Sequence, residues 1–190
     1  MNYTVRRTLF TGHETFTLKE NKLYIETTKK NKLAISLPFT QVKKVNLIYV
    51  PGYKNTPELY QCTLKTTNNK TIKISNNHYE SFGDAYPKNI EYSTFITALH
   101  KELETYKNIT FEKGTSSSAY RVYTIIFGFL LLCLLSIGII GLIKQEVNVG
   151  ISMLIGTILF GGFFYRLSKS YKPEKYNPKE IPSSVIPITN

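Results

Sequence analysis

The sequence predicts an α+β protein: an antiparallel β-domain with one closing helix, followed by a transmembrane hairpin of two helices. Three observations carry this prediction. Residues 1–88 contain short runs rich in Val, Ile, Thr, Tyr and Phe that are separated by turn residues. Residues 92–106 place apolar side chains at steps of three and four, the period of a helix. Residues 122–165 contain two long apolar runs with only three polar residues between them.

The first region is predicted to hold seven short strands. Apolar and polar residues alternate in Leu23–Ile25 and Ile72–Ile74, as in strands with one buried face. Strands of this length, at this spacing, favour an antiparallel barrel or sandwich. The predicted strands are Tyr3–Phe10, Thr15–Lys19, Leu23–Thr27, Ala34–Leu37, Val42–Tyr49, Leu59–Lys65 and Thr71–Ile74.

A single amphipathic helix over about 90–106 is predicted to end this domain, which we place at residues 1–113. Asn89 or Ser93 is positioned to cap it. Its apolar face needs a surface to cover, and the open end of the sheet is the expected partner. The preceding segment, residues 76–89, has no periodicity, which leaves a binding loop or a connection along the sheet edge.

Residues 122–143 carry no charge and predict the first transmembrane helix. At about 1.5 Å per residue it would be roughly 33 Å long, close to a hydrocarbon core of about 30 Å. Residues 147–165 predict a second, and the three residues between them require a tight antiparallel return.

Cations near the helix ends predict the orientation of this hairpin, with both termini cytoplasmic. Four cations lie in residues 101–121 and five in residues 166–179, whereas the connection between the helices holds Lys144 alone. Aromatic and basic residues at the helix ends are the expected membrane-interface anchors. These anchors are Tyr120, Arg121, Tyr123, Tyr165 and Arg166.

Small residues at helical spacing in the second span predict close helix packing: Ser152 with Gly156, and Thr157 with Gly161. The contact could lie within the hairpin or between two chains. No ionisable side chain occurs in the middle of either apolar run, so a proton relay or ion path has no residue to carry it.

The formal net charge is +11, and residues 1–119 hold 17 Lys and Arg against 10 Asp and Glu. A basic surface beside a membrane attracts anionic headgroups. The same charge attracts nucleic acid, but the anchor favours lipid. Lys29, Lys30 and Lys32 lie in a predicted hairpin turn, to which Lys43 can add. This turn is either a phosphate-binding site or simply a solvated turn.

Nothing in the sequence predicts a catalytic, metal or cofactor site. Cys62 and Cys133 fall in different predicted elements, and the histidines, at 13, 78 and 100, are scattered without a second ligand at metal spacing. Nucleophile-elbow, phosphate-loop and dinucleotide-binding patterns are missing from the sequence. We therefore expect a non-enzymatic protein without a cofactor.

The basic tail, residues 166–190, repeats proline at positions 173, 178, 182 and 187, which favours an extended chain. Its aromatic and β-branched residues nevertheless need an apolar surface. Because tail and β-domain are expected on the same side of the membrane, we predict that the tail packs back on the β-domain, along a sheet edge.

At this point the chain resembles bacterial membrane proteins with a pleckstrin-homology-like (PH-like) domain. The resemblance rests on the hairpin start at residues 12–18, the run 35–39 leading into 42–50, the closing helix, and the tail pattern of 176–187. It implies a PH-like fold and a multi-pass protein of the bacterial cytoplasmic membrane. The implied function is a binding or scaffolding module that recruits a protein, a peptide or an anionic lipid headgroup.

Two alternatives remain at this stage. The chain could be an accessory subunit of a membrane enzyme or transporter complex, or its hairpin could assemble into a pore. The expected partners are the lipid bilayer, anionic lipid headgroups, and a partner protein or further copies of the chain, rather than nucleic acid.

Overall fold

The computed structural model describes residues 1–10, 12–28, 34–54, 56–81 and 84–187, except for the side chains of Leu167 and Ser170. The chain forms two compact units. The first, which we call the β-rich unit, consists of residues 1–114 together with the tail from Glu174 onward. The second, the helical hairpin, consists of residues 115–173.

The protein is α+β, with mostly antiparallel strands followed by two long apolar helices. The strands of the β-rich unit are β1 Asn2–Val5, β2 Glu14–Lys19, β3 Lys22–Thr27, β4 Ile35–Pro38, β5 Val42–Val50, β6 Leu59–Thr66, β7 Thr71–Ser75, β8 Asn77–Ser81, β9 Asp84–Pro87, β10 Thr110–Lys113 and β11 Glu174–Lys175. The helices are α1 Asn89–Leu103, α2 Ser117–Ile143 and α3 Val147–Tyr171.

Two sheets and a small hairpin build the β-rich unit. The first sheet has the order β1-β2-β3-β4 and is antiparallel throughout. The second has the order β11-β10-β5-β6-β7, in which β10 and β5 are parallel neighbours and the other pairs are antiparallel. Glu20 and Asn21 both adopt positive φ, the conformation that a tight two-residue turn between β2 and β3 requires.

The core lies between the sheets and α1. Tyr92, Phe95, Ile96, Leu99 and Leu103 of this helix are fully buried. The Phe95 ring contacts those of Tyr3 and Phe16, with centroid distances of 5.6 and 6.4 Å. The predicted apolar stripe therefore covers the sheet as expected.

The observed helix begins at Asn89 and ends at Leu103, three residues before the predicted end. Neither predicted cap functions as one, since the position before the helix is Lys88 and its side chain makes no capping bond. The Asn89 side chain instead accepts a hydrogen bond from Asn76 Nδ2 at 2.8 Å. This asparagine pair ties the helix start to the turn between β7 and β8.

The strand predictions need three corrections. β1 stops at Val5 and does not reach Phe10. Residues 76–89, which showed no periodicity, contain the β8–β9 hairpin, whose register shifts between Tyr79 and Ser81. The helix is not the last element of the domain, because β10 follows it and runs parallel to β5. A four-residue strand such as Thr110–Lys113 is too short to show a period of two in the sequence.

The tail packs on the β-rich unit and extends its second sheet, as predicted. β11 pairs with β10 in the register Glu112↔Lys175 and Lys113↔Glu174. Beyond β11, Val185 is buried in the core, and Tyr176, Ile181 and Ile186 pack against it. The tail is thus an integral part of this unit.

The helical hairpin contains both predicted apolar helices, each long and apolar enough to cross a membrane. Both extend beyond the predicted spans of 122–143 and 147–165. α2 starts five residues earlier, where the Ser116 side chain accepts a hydrogen bond from Ala119 N at 3.4 Å. α3 continues six residues further, to Tyr171. Gln145 has a φ of 62° in the short connection between the two helices.

Candidate functional site

The helices of the hairpin touch most closely beside their connection, which we call the tip (residues 138–150). Gly138 and Gly141 of α2 are the buried residues of that helix, and they face Gly150 of α3. A Cβ added to Gly141 would lie 3.1 Å from Gly150 N, and one added to Gly150 would lie 3.0 Å from Leu142 N. Glycine is therefore required here because the backbones are in contact.

The four predicted packing residues lie outside this contact, and packing between two chains, the alternative for them, stays a prediction. Ser152 is exposed, and a Cβ on Gly156 would meet nothing within 4 Å, so this pair does not pack the hairpin. Thr157 is half-buried and donates to Met153 O, while a Cβ on Gly161 would lie 3.8 Å from Leu131. The small-residue pattern marked a stripe of α3 that mostly faces away from α2. Three glycines of the tip, Gly138 and Gly141 on α2 and Gly150 on α3, make the closest contact instead.

The other end of the hairpin, which we call the base (residues 115–127 and 164–173), carries the predicted interface anchors. The Tyr120 hydroxyl hydrogen-bonds to Ser168 Oγ at 2.7 Å and so links the two helices. Tyr123 and Tyr165 are exposed, as are Arg121 and Arg166. The tyrosines and arginines thus lie at one end of the hairpin, in the arrangement of an aromatic and basic belt.

The chain leaves the β-rich unit at the end of β10 and returns at the start of β11. Lys113 and Glu174 are direct partners in this pairing, with an ion pair of 3.2 Å between their side chains. One strand inward, Lys44 of β5 forms an ion pair with Glu112 of β10. The helical hairpin is therefore inserted between two paired strands, whose neighbouring residues have Cα atoms about 5 Å apart.

The tail is held by a buried hydrogen bond to α1. His100 Nε2 lies 2.7 Å from the Tyr176 hydroxyl, and His100 Nδ1 lies 2.8 Å from Ile96 O. Nδ1–H therefore donates to the carbonyl, and the tyrosine hydroxyl donates to Nε2. Burial lowers the pKa of His100 to about 4, so its ring is neutral at pH 7. Burial also raises the pKa of Tyr176 above its usual range.

A groove of about 650 Å³ runs between the exposed side of α1 and the tail. Thr97, Lys101 and Glu104 line its helix side at helical spacing. Ile181 and Ile186 line its tail side, where prolines flank them. The groove combines an apolar wall with charged and hydroxyl groups. Sequence reasoning missed it because the tail forms half of it.

The predicted basic turn, Lys29, Lys30 and Lys32, lies outside the described residues. Lys43 is exposed and sits at a β-bulge, where the register of β5 against β6 shifts between Val42 and Lys44. Of the two adjacent lysines, Lys44 forms an ion pair with Glu112, and Lys43 faces solvent.

Two histidines that looked unrelated in the sequence come together. The His13 and His78 rings have centroids 5.4 Å apart, and the Tyr86 ring lies 5.2 Å from that of His78 in a tilted arrangement. Burial and the neighbouring Lys88 lower the pKa of His78. Glu14, next to His13, is held by Arg7 in a bidentate pair of 2.5 and 2.9 Å.

In residues 1–187, within the described ranges, no three His, Cys, Asp or Glu side chains are grouped closely enough to hold a metal ion. Cys62 is fully buried, and burial raises its pKa to about 12, which suppresses the reactive thiolate. Among the described residues, the candidate sites are therefore surfaces and contacts between elements. Neither a protein-family model, nor a curated protein, nor a solved structure matches this chain.

Proposed function

We propose that this protein is a membrane-anchored binding module that holds a PH-like domain at the cytoplasmic surface and recruits a partner protein there. The observation that carries the proposal is the insertion of two membrane-length apolar helices between the paired strands β10 and β11. Both ends of the hairpin connect to one folded unit, so that unit occupies one side of the membrane.

The strand order supports a PH-like domain. Four antiparallel strands, β1 to β4, precede three further antiparallel strands, β5 to β7, and a helix then covers the core. Two features depart from the simple order of seven strands and one helix: the β8–β9 hairpin precedes the helix, and β10 with β11 follows it. Both are additions at the periphery of the seven-strand arrangement.

Charge supports the cytoplasmic orientation. The exposed cations Arg121, Arg166, Lys169 and Lys172 belong to the base of the hairpin, while the tip has Lys144 next to Glu146. Short segments rich in Lys and Arg remain on the cytoplasmic side. Lys43 and the other exposed lysines of the β-rich unit then add attraction to anionic headgroups on the same side.

The partner surface that we propose is the groove between α1 and the tail. Strand addition at the β5 edge is not open to a partner, because β10 and β11 already extend the sheet there. The outermost strand, β11, has two residues, and Pro173 and Pro178 lie close to its ends, which makes it a poor template for a further strand. The groove beside α1, with Thr97 and Ile181 on opposite walls, remains accessible.

Orientation can be tested by labelling single cysteines in intact cells. In a background with Cys62→Ala and Cys133→Ala, a membrane-impermeant maleimide is expected to label Lys144→Cys from outside. Lys70→Cys, at an exposed position of the β-rich unit, is expected to react only after permeabilisation. The reverse pattern would overturn the orientation, and full extraction of the chain by alkaline carbonate would overturn the anchor.

Partner binding can be tested with a photocrosslinking amino acid at two exposed threonines of α1. Thr97 lines the groove, whereas Thr94, one turn earlier, does not and is the matched control. We expect a discrete crosslinked protein from position 97 that position 94 does not give, and that Ile181→Asp abolishes. Equal crosslinking at both positions, or none from membranes of the native host, would contradict the proposal.

A further inference from the structure

A crevice of about 320 Å³ opens between α2 and α3 at the base of the hairpin. Phe127 and Phe164 line its end nearer the tip. Its other end, which we call the rim, is lined by hydroxyl-bearing residues: Thr115, Tyr120, Tyr123, Thr124, Ser168 and Tyr171. Among the described residues, no charged side chain lines the crevice. This is the composition of a site for an amphiphile, apolar at one end and polar at the other.

The crevice exists because the two ends of the hairpin are packed differently. At the tip, Gly141 and Gly150 bring the backbones into contact. At the base, bulky rings separate the helices: Phe127 stacks on Phe164 with a centroid distance of 4.4 Å and an interplanar angle of 15°. The Tyr120–Ser168 hydrogen bond links the two helices at the crevice itself. The crevice therefore lies where the helices are separated by rings and joined by one hydrogen bond.

Its depth corresponds to the boundary between headgroups and acyl chains. α2 has 27 residues and is about 40 Å long at 1.5 Å per residue. This exceeds a hydrocarbon core of about 30 Å, so the first turns of α2, with Tyr120, lie at headgroup level. Phe127 and Phe164, further along the helices, lie among acyl chains.

Each wall of the crevice is followed directly by an exposed cation. Arg121 follows Tyr120, Lys169 follows Ser168, and Lys172 follows Tyr171. Their level is that of lipid phosphate, and cations near a membrane surface favour anionic lipid. Thr124 already donates to Tyr120 O, and Tyr120 and Ser168 share one hydrogen bond. Tyr171, together with whichever of Tyr120 and Ser168 accepts in that bond, can donate to an ester carbonyl.

We propose that this crevice binds one acyl chain of an anionic glycerophospholipid from the leaflet at the base of the hairpin. The ester region meets the hydroxyl rim, and the phosphate lies among Arg121, Lys169 and Lys172. This inference rests on the proposed membrane anchor. It adds a specific site at the base of the hairpin, where one bound lipid molecule takes the place of freely exchanging bilayer lipid.

The test is native mass spectrometry of the full-length chain, reconstituted with equal amounts of phosphatidylcholine and phosphatidylglycerol and then transferred to a delipidating detergent. We expect one retained lipid per chain, enriched in phosphatidylglycerol. Thr124→Phe fills the crevice and is expected to abolish the retained lipid. Ser136→Phe is the matched control, because Ser136 is an exposed α2 residue whose hydroxyl bonds the carbonyl four residues earlier, as that of Thr124 does.

A second variant keeps the test decisive if Thr124→Phe does not fold. Arg121→Gln combined with Lys169→Gln and Lys172→Gln leaves the crevice intact and is expected to bind both lipids equally. Lys144→Gln at the tip is its control and is expected to keep the preference for phosphatidylglycerol. A wild-type chain without retained lipid, equal loss in the Ser136→Phe chain, or no headgroup preference would overturn the proposal.

The outcomes separate the two proposals. If the cysteine labels show an inserted hairpin but no lipid is retained, the lipid site fails and the anchor stands. If the chain is not inserted at all, the anchor fails as well.

Discussion

The β-rich unit and the helical hairpin differ in where their large apolar side chains lie. In the β-rich unit the core is built from distant parts of the chain, and Tyr3, Phe95 and Val185 are all buried in it. In the hairpin, large apolar side chains point outward: Leu132 is 63% exposed and Ile158 is 73% exposed. The first unit buries its apolar side chains against one another. The second leaves many of them exposed on two helices that are long and apolar enough to cross a membrane.

Removal of the hairpin is the strongest test, because it asks whether the β-rich unit folds and stays soluble without the two apolar helices. Residues 115–173 can be replaced by a short Gly-Ser turn, because Lys113 and Glu174 are already paired neighbours. We expect this shortened chain to be water-soluble, monomeric and folded by gel filtration and circular dichroism. The control is a chain that stops at residue 114. Without the tail, it loses β11 and the cover over His100, and we expect it to aggregate.

Core truncations should affect the two units unequally. Phe95→Ala removes a fully buried ring, and we expect a loss of about 3–5 kcal/mol in the free energy of unfolding of the β-rich unit. Phe129→Ala removes a ring that is 65% exposed on α2, and we expect no change in that same free energy. Urea titration of the reconstituted chain, followed by near-ultraviolet circular dichroism, measures both. Similar losses would mean that the units are not independent.

The His100–Tyr176 contact predicts that the β-rich unit is sensitive to acid. The pKa of His100 is about 4 in the folded state, below its ordinary value of 6.5, so the unfolded chain binds the proton more tightly. Stability from the neutral ring is therefore complete above pH 6.5 and falls as the pH drops towards 4, by roughly 3 kcal/mol in all. His100→Gln should flatten this slope. Burial and nearby positive charge also lower the pKa of His78, so the informative quantity is the difference between wild type and variant.

The smallest predicted effect is on hairpin stability, and it distinguishes a glycine in close contact, Gly150, from a glycine without a close neighbour, Gly156. Gly150→Ala places a Cβ 3.0 Å from Leu142 N, so the helices must move apart, at a cost of about 1–3 kcal/mol. Gly156→Ala meets nothing within 4 Å and should leave hairpin stability unchanged or slightly raised, because alanine is the better helix former. Steric trapping or unfolding in mixed micelles can compare the variants. Equal effects would contradict the glycine contact at the tip.

Much of the fold could be predicted from the sequence because its signals are local. The strands from β2 to β7 follow their β-branched and aromatic runs, and α1 follows a stripe with a period near 3.6. β10 and β11 could not be predicted as strands, because four and two residues show no period. Their pairing depends on β5, which lies more than sixty residues from β10 in the chain.

The site residues also divide into those that the sequence could place and those that it could not. The predicted anchors all lie at one end of the hairpin, since their position depends only on where the apolar runs end: Tyr120, Arg121, Tyr123, Tyr165 and Arg166. Within the hairpin, Ser152 and Gly156 do not meet α2, because small-residue spacing shows that a face is smooth and does not show which face meets the neighbouring helix. That choice depends on how α2 and α3 are rotated about their axes. Packing of Ser152 and Gly156 between two chains stays a prediction.

The sequence by itself determined the presence of two membrane-length apolar helices and the basic charge at the base of the hairpin, although both helices extend beyond the predicted spans. Those properties follow from composition over about twenty consecutive residues. Only the tertiary structure decided that β11 of the tail pairs with β10, that His100 holds Tyr176, and that Gly141 meets Gly150. Each of these joins residues of different elements, and packing selects such partners by shape and hydrogen bonding, which spacing along the chain does not encode.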